Sequence, residues 1–184
     1  MMKMQSIAGA VVGLCIVAQV AQVQIAQGQT PPQVSSLPGG ATSLQETFQD
    51  WQVACVVQAN GKRCTLSQQQ FSQNRQRLLA IELAPGDGAN VTGTLVLPFG
   101  LLLESGVTTQ IDDKPSGKPL RFRTCLPAGC VVPLQFDGAA AAALRAGTTL
   151  KFIATPSESN EPLTFSISLK GLPAALSRTA TLVK

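Results

Sequence analysis

The sequence predicts an all-β protein, an antiparallel β-sandwich with one short helix and two local disulfides. Three observations carry this. Short runs alternate apolar and polar residues with period two, turn residues separate those runs, and four of the five cysteines form two close pairs, Cys55/Cys64 and Cys125/Cys130.

The first run places Trp51, Val53, Cys55 and Val57 on one face of a strand. Asn60-Gly61 is a hairpin signal, and the chain returns from Lys62 to Phe71 with Cys64 and Leu66 aligned. Leu79, Ile81 and Leu83 mark a third strand, broken by Pro85-Gly86-Asp87-Gly88. A short strand over 94–97 leads into Pro98-Phe99-Gly100, where proline and glycine suggest a buried bend or an edge. Further strands are expected over 107–111, 119–125 and 130–136, with Leu126-Pro127-Ala128-Gly129 as a tight turn between the last two. Asp137 can cap a helix that the alanines 139–143 favour, that Arg145 complements at its C-terminus and that Gly147 can end. Strands over 150–154 and 163–169 follow. The second, with Leu163, Phe165, Ile167 and Leu169 against Thr164, Ser166 and Ser168, is the cleanest alternation in the chain.

Each cysteine pair brackets a hairpin loop or tight turn, so local pairing needs only ordinary antiparallel geometry. Four cysteines allow three connectivities, and the two non-local ones stay open at this level. A zinc site built from all four thiolates fits poorly with eight and four intervening residues, and Cys125 and Cys130 are too far apart for a redox CxxC pair.

The chain divides into an expected signal peptide over 1–26, a Gln/Pro/Gly/Ser-rich flexible leader over 27–45, the β domain over 46–174 and a C-terminal tail over 175–184, with a short helix and a frayed end expected from Gly171 to Lys184. Lys3 followed by an apolar run from Ile7 to Val20 is too short to span a membrane and reads as an export signal. Cys15 falls inside that run. Val12-Gly13-Leu14 lacks the small residue that a lipid-modified cysteine needs directly before it. Export into an oxidising compartment agrees with the paired cysteines.

Composition narrows the activity. The 184 residues contain no histidine, which removes the commonest general base and zinc ligand. Asp112 and Asp113 are adjacent and would point apart on a strand, and no Gly-x-Gly-x-x-Gly loop occurs. The net charge of +4 is too small for a nucleic-acid-binding face. No catalytic residue, metal ligand or cofactor is assigned. Lys118, Arg121 and Arg123 form a small basic cluster, a candidate face for an acidic partner. The loops 85–90 and 112–118 are further candidate contact regions.

Five stretches resemble one family: Phe48-Gln-Asp-Trp-Gln-Val-Ala-Cys55; Cys64-Thr-Leu; Leu97-Pro-Phe-Gly-Leu-Leu-Leu103 followed by Gly106-Val; Phe122-Arg-Thr-Cys-Leu-Pro-Ala-Gly-Cys-Val131; and Phe165-Ser-Ile-Ser-Leu-Lys-Gly171. They span nearly the whole expected domain, in order. The chain resembles the invasion-associated locus B family, small exported proteins of alphaproteobacteria. The resemblance implies a disulfide-bonded immunoglobulin-like sandwich in the periplasm or at the cell surface, with a link to host-cell entry. It supplies no catalytic residues. The expected function is therefore a non-enzymatic envelope or surface protein that binds a protein or cell-surface partner. The alternative is a periplasmic thiol-redox or chaperone-like envelope factor.

Overall fold

The computed structural model describes residues 36–184 apart from 116 and 160. The expected export signal and the leader up to residue 35 lie outside the described residues. Strands β1 (Ser43–Phe48), β2 (Trp51–Gln58), β3 (Gly61–Phe71), β4 (Arg77–Pro85) and β5 (Val91–Leu97) follow one another. Then come β6 (Thr108–Ile111), β7 (Lys114–Pro115), β8 (Thr124–Leu126), β9 (Gly129–Phe136), helix α1 (Gly138–Ala146), β10 (Thr149–Ala154), β11 (Leu163–Ser168) and helix α2 (Leu172–Leu182). A seven-stranded sheet has the order β1-β2-β3-β4-β5-β9-β8, and a four-stranded sheet the order β11-β10-β6-β7. Every pairing is antiparallel.

The two periods in the sequence set what each element buries. In β2, Trp51, Val53 and Cys55 are buried while Gln52, Ala54 and Val56 are exposed. The same parity runs through Leu66, Ile81, Leu95 and Leu134 on the neighbouring strands, so one face of the large sheet is apolar, with Gln68 the polar side chain buried on it. That face is wider than the small sheet. Six strand spacings of about 4.8 Å make it about 29 Å across, against about 14 Å for four strands. The helices cover the difference: α2 packs on β1–β4, and α1 packs on β9 and α2. Residues from both sheets and both helices form one hydrophobic cluster.

A polar knot ties the layers at one point. The Ser168 carbonyl, at the end of β11, accepts the Trp51 indole N–H at 3.0 Å and the Gln68 side-chain N–H at 3.1 Å. Trp51 is fully buried. Burying an indole removes about 150–250 Å² from water, about 4–6 kcal/mol at ~25 cal/mol per Å², and the N–H must find a partner to keep that gain. Three residues later Gly171 turns the chain into α2 with φ +85°. A Cβ there would lie 2.0 Å from the Phe48 carbonyl oxygen, so this crossing admits only glycine. Glu46 and Arg178 then clamp α2 to β1 through two 2.7 Å hydrogen bonds, a bidentate pair at half-exposed positions.

Both disulfides are the local ones. Cys55 faces Cys64 across β2 and β3 with Cα atoms 4.1 Å apart, and Cys125 faces Cys130 across β8 and β9 at 3.9 Å. These are the close spacings of non-hydrogen-bonded antiparallel pairs. By the chain-entropy account each bond stabilises by roughly 2–3 kcal/mol.

Several elements differ from the sequence expectation. The domain, expected to end at 174 with a short helix and a frayed tail over 171–184, continues through α2, which buries Leu172, Ala175, Leu176, Thr179 and Leu182 on one face. Thr179 is accommodated there because its hydroxyl donates to the Ala175 carbonyl. The leader expected to reach 45 already contributes Leu37 to the core and starts β1 at Ser43. As an edge strand β1 is covered on half its positions at most, so it lacks a strong apolar alternation. The run 119–125 is not one strand. Leu120 bridges Val107 beside the small sheet, whereas Thr124–Leu126 joins the large one. Leu120 and Phe122 pack on the core while the chain crosses between sheets, and burial on one side alone produces the alternation. The first cysteine hairpin turns at Ala59-Asn60, one residue earlier than expected, with Gly61 taking the positive φ. Asp137 caps α1 through the Ala140 N–H at 2.9 Å, and Gly147 ends it.

One proline needs an explanation. Arg123 N–H donates to the Val131 carbonyl, so the backbone groups of Val131, and of Pro133 two residues on, point toward the β8 side. Strand β8 pairs only as far as Val131. Pro133 therefore puts its missing N–H on an unpaired edge, and the ladder to β5 stays whole.

Two glycines with the same φ of +85° separate backbone strain from steric closure. Gly171 meets the Phe48 carbonyl, while Gly100 has open space where its Cβ would be. Gly100→Ala is expected to cost about 1–2 kcal/mol, the left-handed penalty alone. Gly171→Ala is expected to cost several-fold more or to prevent folding, as read by urea unfolding of the two variants side by side.

Candidate functional site

The outer face of the large sheet is left uncovered by the other layers. Parity places Arg63, Thr65 and Ser67 of β3 on it, with Ala80, Glu82 and Ala84 of β4, Thr92, Thr94 and Val96 of β5, and Val131, Pro133 and Gln135 of β9. Register sets them in rows. Ala84, Thr92 and Gln135 stand opposite one another, as do Glu82, Thr94 and Pro133. Their side chains are mostly short, so the middle of the face is a shallow groove of about 330 Å³. Arg63 stands at one side and Arg123 at the other. The strands carrying them, β3 and the β8 edge, are four spacings apart, about 19 Å. At the groove floor Gly93 lets β4 and β5 approach closely, since a Cβ there would lie 2.1 Å from the Glu82 carbonyl oxygen.

Both groove arginines are exposed. Among the described residues the ion pairs are Lys151–Asp113 and Arg178–Glu46, so neither Arg63 nor Arg123 is engaged by a carboxylate. A guanidinium in that state can take a carboxylate, sulfate or phosphate through two parallel hydrogen bonds. Glu82 between them reduces the local charge to a net of one positive. Arg77, on the same sheet, is committed elsewhere through a hydrogen bond to the Ala128 carbonyl in the β8–β9 turn.

The sequence-predicted cluster is only partly assembled. Arg123 lines the groove, whereas Lys118 and Arg121 lie exposed on the crossover that precedes it. Arg63 was not singled out by sequence reasoning. Its outward position was readable from the inward Cys64 and Leu66, but its companionship with Arg123 depends on the strand order β3-β4-β5-β9-β8. The loop 85–90 closes on itself through Gly86 N–H to Asn90 carbonyl and Asn90 N–H to Asp87 carbonyl. In the loop 112–118, Asp112 and Asp113 serve separate purposes. Asp113 pairs with Lys151 at 2.9 Å. Asp112, at φ +54°, accepts the Thr148 hydroxyl at 2.6 Å and the Thr148 and Thr149 N–H groups at 3.0 Å each. The Thr148 hydroxyl bond first, then those two N–H groups, hold its carboxyl below the ordinary 3.8.

The comparisons with known proteins agree on one relationship. The family described as "Invasion associated locus B (IalB) protein" matches residues 51–180. The chain belongs to the invasion associated locus B family. An invasion protein B homolog of Brucella abortus (strain 2308) is 46% identical over 151 residues, covering 82% of this chain and 87% of that protein. Invasion protein B of Bartonella bacilliformis is 37% identical over 157 residues, 84% of each chain. The crystal structure of invasion associated protein b from Bartonella henselae superposes with a TM-score of 0.72 at 34% identity, covering 76% of this chain and 97% of that one.

The stretches that carried the family resemblance can now be placed. Trp51, Val53 and Cys55 are the buried face of β2, Cys64 is the disulfide partner opposite, and 165–171 holds both the Ser168 carbonyl and Gly171. These residues build the framework. Of the charged residues in those stretches, Asp50, Arg123 and Lys170, only Arg123 lines the groove. No group of three or more cysteine or carboxylate side chains among the described residues is placed to hold a metal ion. No helix among them is long and apolar enough to cross a membrane. The two disulfides are consistent with an exported protein.

Two outcomes follow from this geometry. Because the folded Asp112 carboxyl binds its proton less tightly than in the unfolded chain, its contribution is fully present above pH ~4 and is lost as pH falls through the lowered folded value. Asp112→Asn keeps a residue suited to positive φ but removes the charge. Its unfolding free energy, measured by urea titration from pH 6 to pH 2, should fall less steeply than that of the wild type. The disulfides should separate by accessibility, since Cys125 is exposed while Cys55 and Cys64 are buried. Mild reduction of the folded protein followed by alkylation and peptide mapping should label Cys125 and Cys130 first and leave Cys55 and Cys64 unmodified.

Proposed function

We propose that this chain is an exported, non-enzymatic protein of the periplasm or cell surface that binds an acidic partner on the outer face of its large sheet, in the service of host-cell interaction. The observation that carries the reading is the pair of unengaged arginines, Arg63 and Arg123, facing one another across a groove of short polar side chains. Lys118 and Arg121 stand exposed on the crossover that leads to Arg123. The names of the Brucella and Bartonella relatives support the link to invasion. The signal peptide over 1–26 and removal of that segment before folding are part of this proposal.

A thiol-redox role is the second reading, favoured by the exposure of Cys125 at the sheet edge. It requires a Cys125/Cys130 pair that cycles, and it predicts that Cys125→Ala/Cys130→Ala abolishes function. Under the binding proposal that variant stays active wherever it stays folded.

The purified mature protein should be retained on a carboxylated or sulfated polymer and on cultured host cells in a salt-dependent manner. Arg63→Glu/Arg123→Glu should weaken that binding at least tenfold, and Arg121→Glu by a smaller factor. Retention unchanged in the double variant rules out the groove as the site.

A further inference from the structure

A second surface differs in chemistry from the arginine groove. After β5 the chain forms a loop, 98–106, that lies against the residues following β10. Leu102 N–H donates to the Thr155 carbonyl at 2.8 Å, and the Gly100 carbonyl accepts both the Ser157 N–H at 2.8 Å and the Ser157 hydroxyl at 3.1 Å. Leu101 and Pro156 form a β-bridge. Gly106 fastens the far end of the loop, where a Cβ would lie 2.5 Å from the Leu120 carbonyl oxygen. The backbone is thus held at both ends and in the middle.

On this fixed frame the apolar side chains face outward. Phe99 is 60% exposed, Leu103 45% and Leu102 38%. Leu163 opens β11 opposite Ala154, next to the Thr155 that holds Leu102, and is 46% exposed. Four large apolar side chains on neighbouring segments are costly to leave in water. Concentrations of this kind mark contact surfaces.

The charge carried on these segments has one sign. Every ionisable side chain in 98–106, 155–159 and 161–163 is a glutamate: Glu104, Glu158 and Glu161, all exposed. The chain as a whole carries +4. An apolar patch whose own segments carry only carboxylates disfavours anionic lipid and disfavours its own copy in a two-fold dimer, where six carboxylates would meet. It complements an apolar segment that carries lysine or arginine at its edges.

We propose that the corner formed by Phe99, Leu102, Leu103 and Leu163, with Glu104, Glu158 and Glu161 around it, is a docking site for a basic amphipathic segment of a partner protein. It is separate from the arginine groove and would let one molecule bridge an acidic and a basic partner.

The probes are a synthetic Leu/Lys amphipathic peptide, its Leu/Glu counterpart, and vesicles of phosphatidylglycerol or phosphatidylcholine, each titrated against the purified mature protein. Fluorescence anisotropy should show the Leu/Lys peptide binding. Affinity should drop at least tenfold in Phe99→Ser/Leu103→Ser, and again in Glu104→Lys/Glu158→Lys/Glu161→Lys. These are exposed positions, and unchanged thermal midpoints would establish that both variants fold. Arg63→Glu/Arg123→Glu should bind the peptide as the wild type does, so failure of this site and failure of the groove are distinguishable. The proposal is overturned if neither peptide binds or if the Leu/Glu peptide binds equally. It is also overturned if either variant keeps full affinity, if phosphatidylglycerol vesicles compete the peptide off, or if sedimentation shows a dimer abolished by Phe99→Ser/Leu103→Ser.

Discussion

The carbonyl of Ser168 is the point on which the layered arrangement depends. It ends the last strand of the small sheet, and two donors from the large sheet converge on it, the Trp51 indole and the Gln68 amide. Without such an acceptor a buried indole N–H and a nearly buried amide would each be left unsatisfied, at about 1–3 kcal/mol apiece. With it, the widest side chain of the core is fixed in position and orientation. The chain then has only Leu169 and Lys170 before Gly171 must pass the Phe48 carbonyl, so the start of α2 is set by the same knot. No buried side-chain nitrogen or oxygen among the described residues lacks a hydrogen-bond partner.

The unequal widths of the two sheets explain why an all-β chain carries helices. A four-stranded sheet cannot cover seven strands, and the uncovered inner face needs an apolar lid. Helix α2 supplies one with a single buried stripe, and the Glu46–Arg178 pair fixes the helix against β1. The disulfides divide their duties in a similar way. Cys55–Cys64 lies within the core, where it adds to packing. Cys125–Cys130 staples the three-residue edge strand β8 to β9 at the sheet margin.

Much of this was legible in the sequence, for identifiable reasons. Strand β11 and the inward face of β2 were readable because one face is buried and the other is wet, which leaves a clean two-residue period. Helix α1 was readable from Asp137, the alanines and Gly147. Helix α2 was only half legible, because Thr179 and Ala175 fill positions where a stronger apolar stripe would have announced it. The stretch 119–125 misled because packing on one side imprints alternation whether or not a neighbouring strand completes a ladder. The family followed from motifs that proved to be framework. The groove was out of reach, since Arg63 and Arg123 are 60 residues apart in the chain and meet only through a strand order that local pattern does not encode. The apolar corner was hidden for a related reason: Phe99 and Leu103 look like core residues until the bonds to Thr155 and Ser157 turn them outward.

Pro133 has a consequence for how the protein behaves in company. Beyond Val131 the margin of the large sheet is bare, and a bare margin is where another molecule's extended chain could attach and begin a growing fibril. The proline withholds a donor along that margin, and the short, disulfide-stapled β8 occupies the rest. Copies crowded together in a confined space thus find no continuous backbone template there. At that margin the molecule meets its neighbours through side chains, which can discriminate between them, rather than through main chain, which cannot.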